Sequence, residues 1–401
     1  MGRNRAGVHQ LILKFMKVLS IDRDRDRKIF EDGDATRERM VEYGKKMEEM
    51  HSVVFVLKKH GLKTIAISEN VFVHPTNSLS RWFFLWDAIR LGKKIIRENK
   101  FVRGDCVVTC QDPFECGFVG WRVAGAFHLP LHLQIHTDFL SRHFKTSFLQ
   151  KCRVWFAKFL IPRADFIRAV SLRIVESLKD AGVKTKHPVR ILPIRIDAEA
   201  IISKNSTAEN SDLKKMFPQF KFIILMASRL SKEKRIIDAI SAFASVAKNY
   251  PDAGLVIAGD GPLLSELKNK AKNMDIFDKV FFLGFCEDIF SLMKTADIFL
   301  TCSEYEGYGM SVVEAGLSHL PVISTAVGLS GELLIHLKNS YICPVYDTVC
   351  IAKGIEMMLG NEDLRRELST ALFADITARM PKKDEYIDSY IALLEEAVHS
   401  N

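Results

Sequence analysis

Along the chain, short apolar runs alternate with longer stretches in which apolar residues return every three to four positions. A short buried run followed by an amphipathic helix, repeated many times, predicts α/β units around parallel sheets. In the first half the strands fall at Lys17 to Ile21, Val53 to Val56, Thr64 to Ile67, Cys106 to Thr109, Leu131 to Ile135, Phe166 to Ala169 and Val189 to Leu192. Helices are expected between them at Arg37 to Met50, Phe84 to Glu98 and Ser171 to Ala181. The second half restarts at Phe222 to Met226 and continues through Leu255 to Ile257, Val280 to Phe282, Ile298 to Leu300 and Pro321 to Ile323. It closes with a long helix from Asp384 to Val398.

A polar interruption, Lys204 to Ser211, separates the two patterned regions and marks the expected domain junction. The plan is an extension over 1–15, a Rossmann-like domain over 16–200, a second over 201–380, and a terminal helix over 381–401 packing back toward the first. The fold class is α/β, with two doubly wound Rossmann-like domains facing across a cleft. Ligands then sit at the carboxyl ends of the strands.

Composition narrows the classes. Of 401 residues, 48% are apolar and 26% charged, which excludes collagen-like, mucin-like and low-complexity chains. The best apolar run, Gln10 to Ile21, is cut by Lys14 and Lys17, and it reads as the approach to a first strand rather than a membrane span. Eight cysteines show no Cys-x-x-Cys pair and no histidine at metal-ligand spacing, so small buried hydrophobes in a reducing compartment are expected, without zinc or a disulfide framework.

Charge changes the picture. Residues 1–200 hold 36 Lys+Arg against 22 Asp+Glu, and the rest 21 against 27. A positive first half implies an anionic partner. Two stretches in it mix aromatic and basic residues: Arg81 to Lys100 with Trp82, Phe83 and Trp86, and Phe144 to Arg163 with Phe148, Trp155 and Phe156. Each alone reads as core aromatics beneath a solvated basic face, while two together suggest peripheral contact with an anionic membrane. No nucleic-acid-binding signature is present, so none is expected.

The chemistry concentrates in three loops that follow buried strands. Ser303 to Ala315 carries Glu306, Gly307, Tyr308, Gly309, Met310, Ser311 and Glu314 where a strand opens into a helix. Free backbone N–H groups at a helix N-terminus form an anion site, and the two carboxylates beside it suit sugar or ribose hydroxyls. In Met226 to Arg235, Arg229 and Lys234 can converge on a diphosphate and stabilise the charge that develops on a departing nucleotide. The turn Ala258 to Pro262 adds Gly259 and Gly261 at the same sheet edge.

With these motifs in order, the stretch from about Phe222 to Leu334 resembles the C-terminal domain of retaining nucleotide-sugar glycosyltransferases of family 4, the group 1 glycosyltransferases of GT-B fold. The resemblance lies in Arg229-Leu230-Ser231-Lys232-Glu233-Lys234, in Gly259-Asp260-Gly261-Pro262, and in Glu306 and Glu314 followed by Pro321-Val322-Ile323. It implies that Arg229 and Lys234 bind the donor diphosphate and Glu314 the ribose hydroxyls. It also implies that Glu306, with the backbone of Gly309, Met310 and Ser311, holds the donor sugar and phosphates. Arg235 stands where the family usually has glycine.

In the first half, His136 follows the strand Leu131 to Ile135, and the resemblance implies that it touches the donor sugar, with Asp138 as neighbour. Asp112, after another strand, is a candidate acceptor contact. The family's glycine-rich loop after the first strand is replaced by Asp22-Arg23-Asp24-Arg25-Asp26. Spaced aspartates can hold a divalent cation, but the interleaved arginines would repel one, and a solvated charged loop is expected.

The resulting expectation is a retaining, hexosyltransferase-type enzyme that uses a nucleotide sugar such as a UDP- or GDP-sugar, with no cofactor and no metal. The acceptor is a glycan or lipid-linked precursor of cell-envelope polysaccharide or glycolipid. The expected place is the cytoplasm, against the inner face of a membrane. The alternatives are a nucleotide-sugar epimerase of the same fold and a non-catalytic nucleotide-sugar-binding protein.

Overall fold

The structure, a computed structural model, describes residues 16–23, 27–203 and 212–399. The expected extension over 1–15, the polar interruption over 204–211, and Asp24 to Asp26 lie outside the described residues. The chain forms two compact units: one runs to Pro193 and takes in the chain from Lys382, and the other spans Ile194–Pro381.

In chain order the first unit holds β1 (Lys17–Asp22), α1 (Ala35–Gly44), β2 (Glu49–Val54), β3 (Ile65–Ser68), β4 (Val71–Pro75), α2 (Phe84–Glu98) and β5 (Cys106–Cys110). It continues with α3 (Glu115–Phe127), β6 (Leu131–Ile135), α4 (Phe148–Leu160), β7 (Phe166–Ala169), α5 (Leu172–Asp180) and β8 (Arg190–Ile191). The sheet order is β3-β4-β2-β1-β5-β6-β7-β8, parallel except for the β3–β4 pair. Central strands β1, β5 and β6 are buried throughout or nearly so, their polar Ser20, Thr109, His132 and Gln134 included, because helices cover a parallel sheet on both faces.

The helix expected over Arg37 to Met50 ends at Gly44, and Glu49–Val54 is strand β2. Gly44 presses on the neighbouring strand, where a Cβ would come within 2.2 Å of Val71 Cγ2. Asn70 Nδ2 donates to the carbonyls of Gly44 (2.8 Å) and Met47 (2.9 Å), which turns the chain before the helical pattern runs out. Strand β4, in which buried Val71, Val73 and Pro75 alternate with half-buried Phe72 and His74, was not expected.

The second unit runs through α6 (Ala198–Ser203), α7 (Leu213–Met216), β9 (Phe222–Ala227), α8 (Ile236–Val246), β10 (Ala253–Ala258), α9 (Leu264–Asn273) and β11 (Val280–Gly284). It continues with α10 (Ile289–Thr295), β12 (Ile298–Thr301), α11 (Met310–Leu317), β13 (Val322–Thr325), β14 (Tyr341–Cys343), α12 (Thr348–Gly360) and α13 (Glu362–Thr377). Its sheet is wholly parallel, in the order β11-β10-β9-β12-β13-β14. Contrary to the expectation for the cysteines, Cys343 and Cys350 form a disulfide; the step from β14 into the first turn of α12 brings them within 5.7 Å Cα to Cα.

The last helix, α14 (Lys383–His399), belongs to the first unit. Its buried Tyr386, Tyr390 and Leu394 share a core with Met50 and Val107, and Tyr390 stacks on Tyr43 at 4.5 Å. Buried Arg168 donates to Tyr386 Oη, to Gln134 Oε1 and to the Pro193 carbonyl, each at 2.8 Å, so its charge is fully engaged by polar partners.

Two local expectations are corrected. Asp22 is not in a solvated loop: its buried carboxylate accepts from Ser20 Oγ at 2.9 Å and Ser52 Oγ at 2.5 Å. Nor do the tryptophans at the start of α2 or Phe148 and Trp155 of α4 fill the core: Trp82, Trp86, Phe148 and Trp155 are 90%, 74%, 83% and 63% exposed.

Candidate functional site

In the second unit β10 and β11 add to one side of β9, and β12, β13 and β14 to the other. The direction of winding reverses between β9 and β12, and the loops leaving that point diverge to open a binding crevice at the strands' carboxyl ends. The loops there are 228–235 after β9 and 302–309 after β12. Both contain residues expected from the sequence to carry chemistry.

The first loop makes a short 3-10 turn, Lys232–Lys234, and enters α8 through Arg235, whose φ of 49° is left-handed. Glycine takes that conformation without strain, which accounts for its usual place there in the resembled family. Here the arginine is held by Asp238, which accepts from Nε at 2.8 Å and from the other guanidinium arm at 2.6 Å, and it lies over the Tyr346 ring at 4.7 Å. Arg235 is thus committed to the helix start. Arg229, with about half its side chain exposed, lies 3.7 Å from Glu233, which also accepts from Ser231 Oγ at 2.6 Å.

Gly259 and Gly261 pack directly under this loop. A Cβ on Gly259 would meet the Ser228 carbonyl oxygen at 1.9 Å, and one on Gly261 the Leu230 oxygen at 2.5 Å. Leu230 N–H donates to the Asp260 carbonyl at 2.9 Å, so the two loops are stitched side by side. Both glycines therefore serve backbone packing beneath Arg229.

In the second loop, Glu306 accepts from Ser303 Oγ at 2.8 Å and from the Lys234 ammonium. Glu304 N–H donates to the Glu233 carbonyl at 2.9 Å, and the Glu304 carboxylate accepts from Tyr346 Oη at 2.7 Å. Gly309, at φ 97°, caps α11, and Met310 and Ser311 form its first turn, so N–H groups without helical acceptors face the loop. Glu314 lies one turn further in. Burial raises its carboxyl above the ordinary range, and among the described residues no side chain donates to it. Tyr305 is pushed up to about 12, by burial first and then by Glu233, Glu304 and Glu306.

Sequence reasoning missed Gly328, in the loop after β13. A Cβ there would lie 2.6 Å from the Tyr308 carbonyl oxygen and 3.1 Å from Glu306 Cβ, so glycine lets a third loop support Glu306. Its signal, a buried strand followed by a glycine, was the one used for the other loops. Tyr346 gave no signal, because its contacts with Glu304 and Arg235 span 42 positions or more.

In the first unit, His136 directly follows β6. Its Nε2 is buried with no hydrogen-bond partner among the described residues. Burial, then the charges of Arg168 and Arg39, push its pKa down to about 3, so the ring is neutral at physiological pH. Nearby Asp138 is buried, its Oδ1 also lacks a partner among the described residues, and burial raises its carboxyl. Asp112 is occupied otherwise: its carboxylate accepts from the N–H groups of Phe114 (2.8 Å) and Cys116 (3.2 Å) and caps α3. Among the described residues no group of three or more His, Cys, Asp or Glu is arranged to hold a metal ion.

Residues 208–372 match the family model described as glycosyl transferases group 1. Among curated proteins, the N-acetyl-alpha-D-glucosaminyl L-malate synthase of Bacillus anthracis is 30% identical over 213 residues, 53% of this chain and 54% of that protein. The alpha-monoglucosyldiacylglycerol synthase of Streptococcus pneumoniae is 28% identical over 229 residues, 54% of this chain and 51% of that protein. The chain thus spans about half the length of these relatives. Among solved structures, Anabaena HepE in complex with UDP and glucose superposes with a TM-score of 0.73 at 19% identity, covering 94% of this chain and 98% of that one. Sucrose-phosphate synthase from Thermosynechococcus elongatus gives 0.77 at 15% identity, covering 94% and 97%. At such identities the likeness is one of fold, α/β of the GT-B type.

Proposed function

We propose, on the premise that residues 208–372 belong to the group 1 glycosyltransferase family, that this chain transfers a sugar from a nucleotide diphosphate sugar to an acceptor with its anomeric configuration kept. The observation that carries the reading is the convergence of Lys234, Arg229 and Glu306 beside the N-terminus of α11 at the β9–β12 switch point.

Two cations and a set of free N–H groups suit a diphosphate, and their fixed charge stabilises the leaving nucleotide as the glycosidic bond breaks. That charge is supplied by side chains, so the transfer is assigned no metal. Until donor arrives, Glu306 occupies Lys234; the diphosphate displaces it, and the freed carboxylate is then available to the sugar hydroxyls. Glu314, deeper along α11 and with no side-chain donor among the described residues, is assigned the ribose hydroxyls. In the first unit, neutral His136 with its unpartnered Nε2 is the group offered to the reacting sugar. Asp138 is assigned a place beside it.

A glycan or lipid-linked precursor, met at the inner face of a membrane, is the proposed acceptor. The relative from Streptococcus pneumoniae, by its name a synthase of a glucosyldiacylglycerol, supports a lipid-borne one.

A thermal-shift screen against UDP-, GDP-, ADP- and dTDP-sugars, with and without EDTA, tests the donor reading. One nucleotide family should raise the melting temperature whether or not EDTA is present. Silence across the panel from folded protein would remove the donor assignment, and a rise that EDTA abolishes would remove the metal-free one.

A further inference from the structure

The exposed aromatics of the first unit cluster at α2 and α4, two helices that flank a third, α3. Trp82, in the 3-10 turn Arg81–Phe83 that leads into α2, and Trp86 of α2 are followed by exposed Arg90, Lys94 and Arg97 at helical spacing, so aromatic and basic residues share one outward stripe. On α4, Phe148, Lys151 and Trp155 repeat the arrangement. Helix α3 packs between the two: Trp121 meets Phe159 of α4 edge-on at 5.4 Å, and Gly92 of α2 lets Val123 of α3 approach closely.

Exposure on this scale is costly in water. Leu79 is 77% exposed, Trp82 90% and Phe148 83%, in a unit whose other large apolar side chains are mostly buried. Charge identifies what covers them. From Lys145 to Arg163 there are five Lys or Arg and no Asp or Glu. From Arg81 to Lys100 there are six against two, and the two acids, Asp87 and Glu98, lie beside Arg90 (3.4 Å) and Lys94 (3.7 Å). A protein partner would match the aromatics with an apolar face or the cations with an acidic one. Tryptophan interleaved with cations that outnumber the acids beside them, even with Arg153 held by Glu115, fits a surface that is apolar beneath and anionic on top. Among the described residues no helix is long and apolar enough to cross a membrane, so such contact is in the plane of the interface.

We propose that the first unit docks on an anionic bilayer through α2 and α4, with Trp82, Trp86, Phe148 and Trp155 seated at headgroup level. The proposal rests on the glycosyltransferase reading only in naming where a lipid-borne acceptor is met. Its test uses vesicles that contain neither donor nor acceptor, so it can fail while the donor reading stands, and the reverse.

The full chain is floated with vesicles of phosphatidylcholine alone and of phosphatidylcholine with phosphatidylglycerol, at low and high salt. Binding is expected to the anionic vesicles only, weakened by salt, with a blue shift of tryptophan emission. Trp82→Ala/Trp86→Ala and Lys151→Glu/Lys158→Glu are expected to lower the bound fraction by at least about tenfold. Because these side chains are exposed, melting temperatures should match the parent and rule out misfolding as the cause. Absence of binding by the folded parent, equal binding to neutral vesicles, or binding untouched by both double variants would each overturn the proposal. A dimer in solution that Trp82→Ala/Trp86→Ala dissolves would also overturn it, by assigning the surface to a second copy.

Discussion

The Lys234 ammonium donates to the Glu306 carboxylate across 72 positions of sequence. The pair exists because β9 and β12 are neighbours, with Ile298 opposite Ile224 and Phe299 opposite Leu225, and it stands where an incoming diphosphate is expected to compete for the cation.

Lys234→Ala and Arg229→Ala are therefore expected to lower kcat by about 10²–10³-fold, the usual effect of removing a group aimed at developing charge. Glu306→Gln should act differently. Releasing Lys234 raises affinity for the nucleoside diphosphate by roughly two- to tenfold, while turnover falls. Calorimetry with the diphosphate, run beside a transfer assay, checks both; equal losses of affinity in all three variants would refute the competition.

On the proposed donor reading, Glu314 links binding to stability. Burial raises its carboxyl above the reference value of 4.5, so the folded state favours the protonated form, and its contribution to stability declines as pH rises from 4.5 through the folded value. Glu314→Gln removes that penalty and is expected to raise the melting temperature at pH 7. Donor affinity should drop about tenfold or more, because the charged acceptor proposed for the ribose hydroxyls is lost. Melting curves and donor titration on one preparation decide it, and a lower melting temperature would contradict the account.

His132 and His136 are both pushed down to about 3, chiefly by burial. Unfolded histidine takes up a proton near 6.5, so the stability these neutral rings contribute is complete above that pH and is lost progressively as pH falls toward 3. Melts between pH 7 and 4 should show this decline, and His132→Gln should flatten it. In the NMR spectrum neither ring should titrate between pH 8 and 5.

Close backbone approach makes the loop glycines sensitive. Gly328→Ala, with Tyr308 oxygen 2.6 Å from the new Cβ, is expected to cost about 2–3 kcal/mol and to disturb Glu306. Gly61→Ala, also at positive φ but with nothing within 4 Å, should cost only about 1 kcal/mol. Urea denaturation of the two variants measures the difference.

Strands such as Phe222–Ala227 and Ala253–Ala258 were legible because buried parallel strands are continuous apolar runs between amphipathic helices. Arg229, Lys234, Glu306 and Glu314 were legible as candidates because a polar loop directly after such a run is where an α/β sheet carries ligands. The end of α1 at Gly44 and strand β4 were not, since each depends on its neighbour: Val71 against Gly44, and β2 beside β4. The exposure of Trp82 and Trp155 was equally hidden, because an amphipathic period shows which residues share a face but not whether anything covers it.

Local sequence thus determined the alternation of elements, the glycine loops and the charged residues in them, since these follow from backbone preference and hydrophobic period. Tertiary structure alone decided that β9 lies beside β12, that α14 returns to the first unit, and that Arg235 is held by Asp238 and Tyr346. Strand order is chosen by which apolar faces bury one another best across the whole chain, and no local window contains that competition.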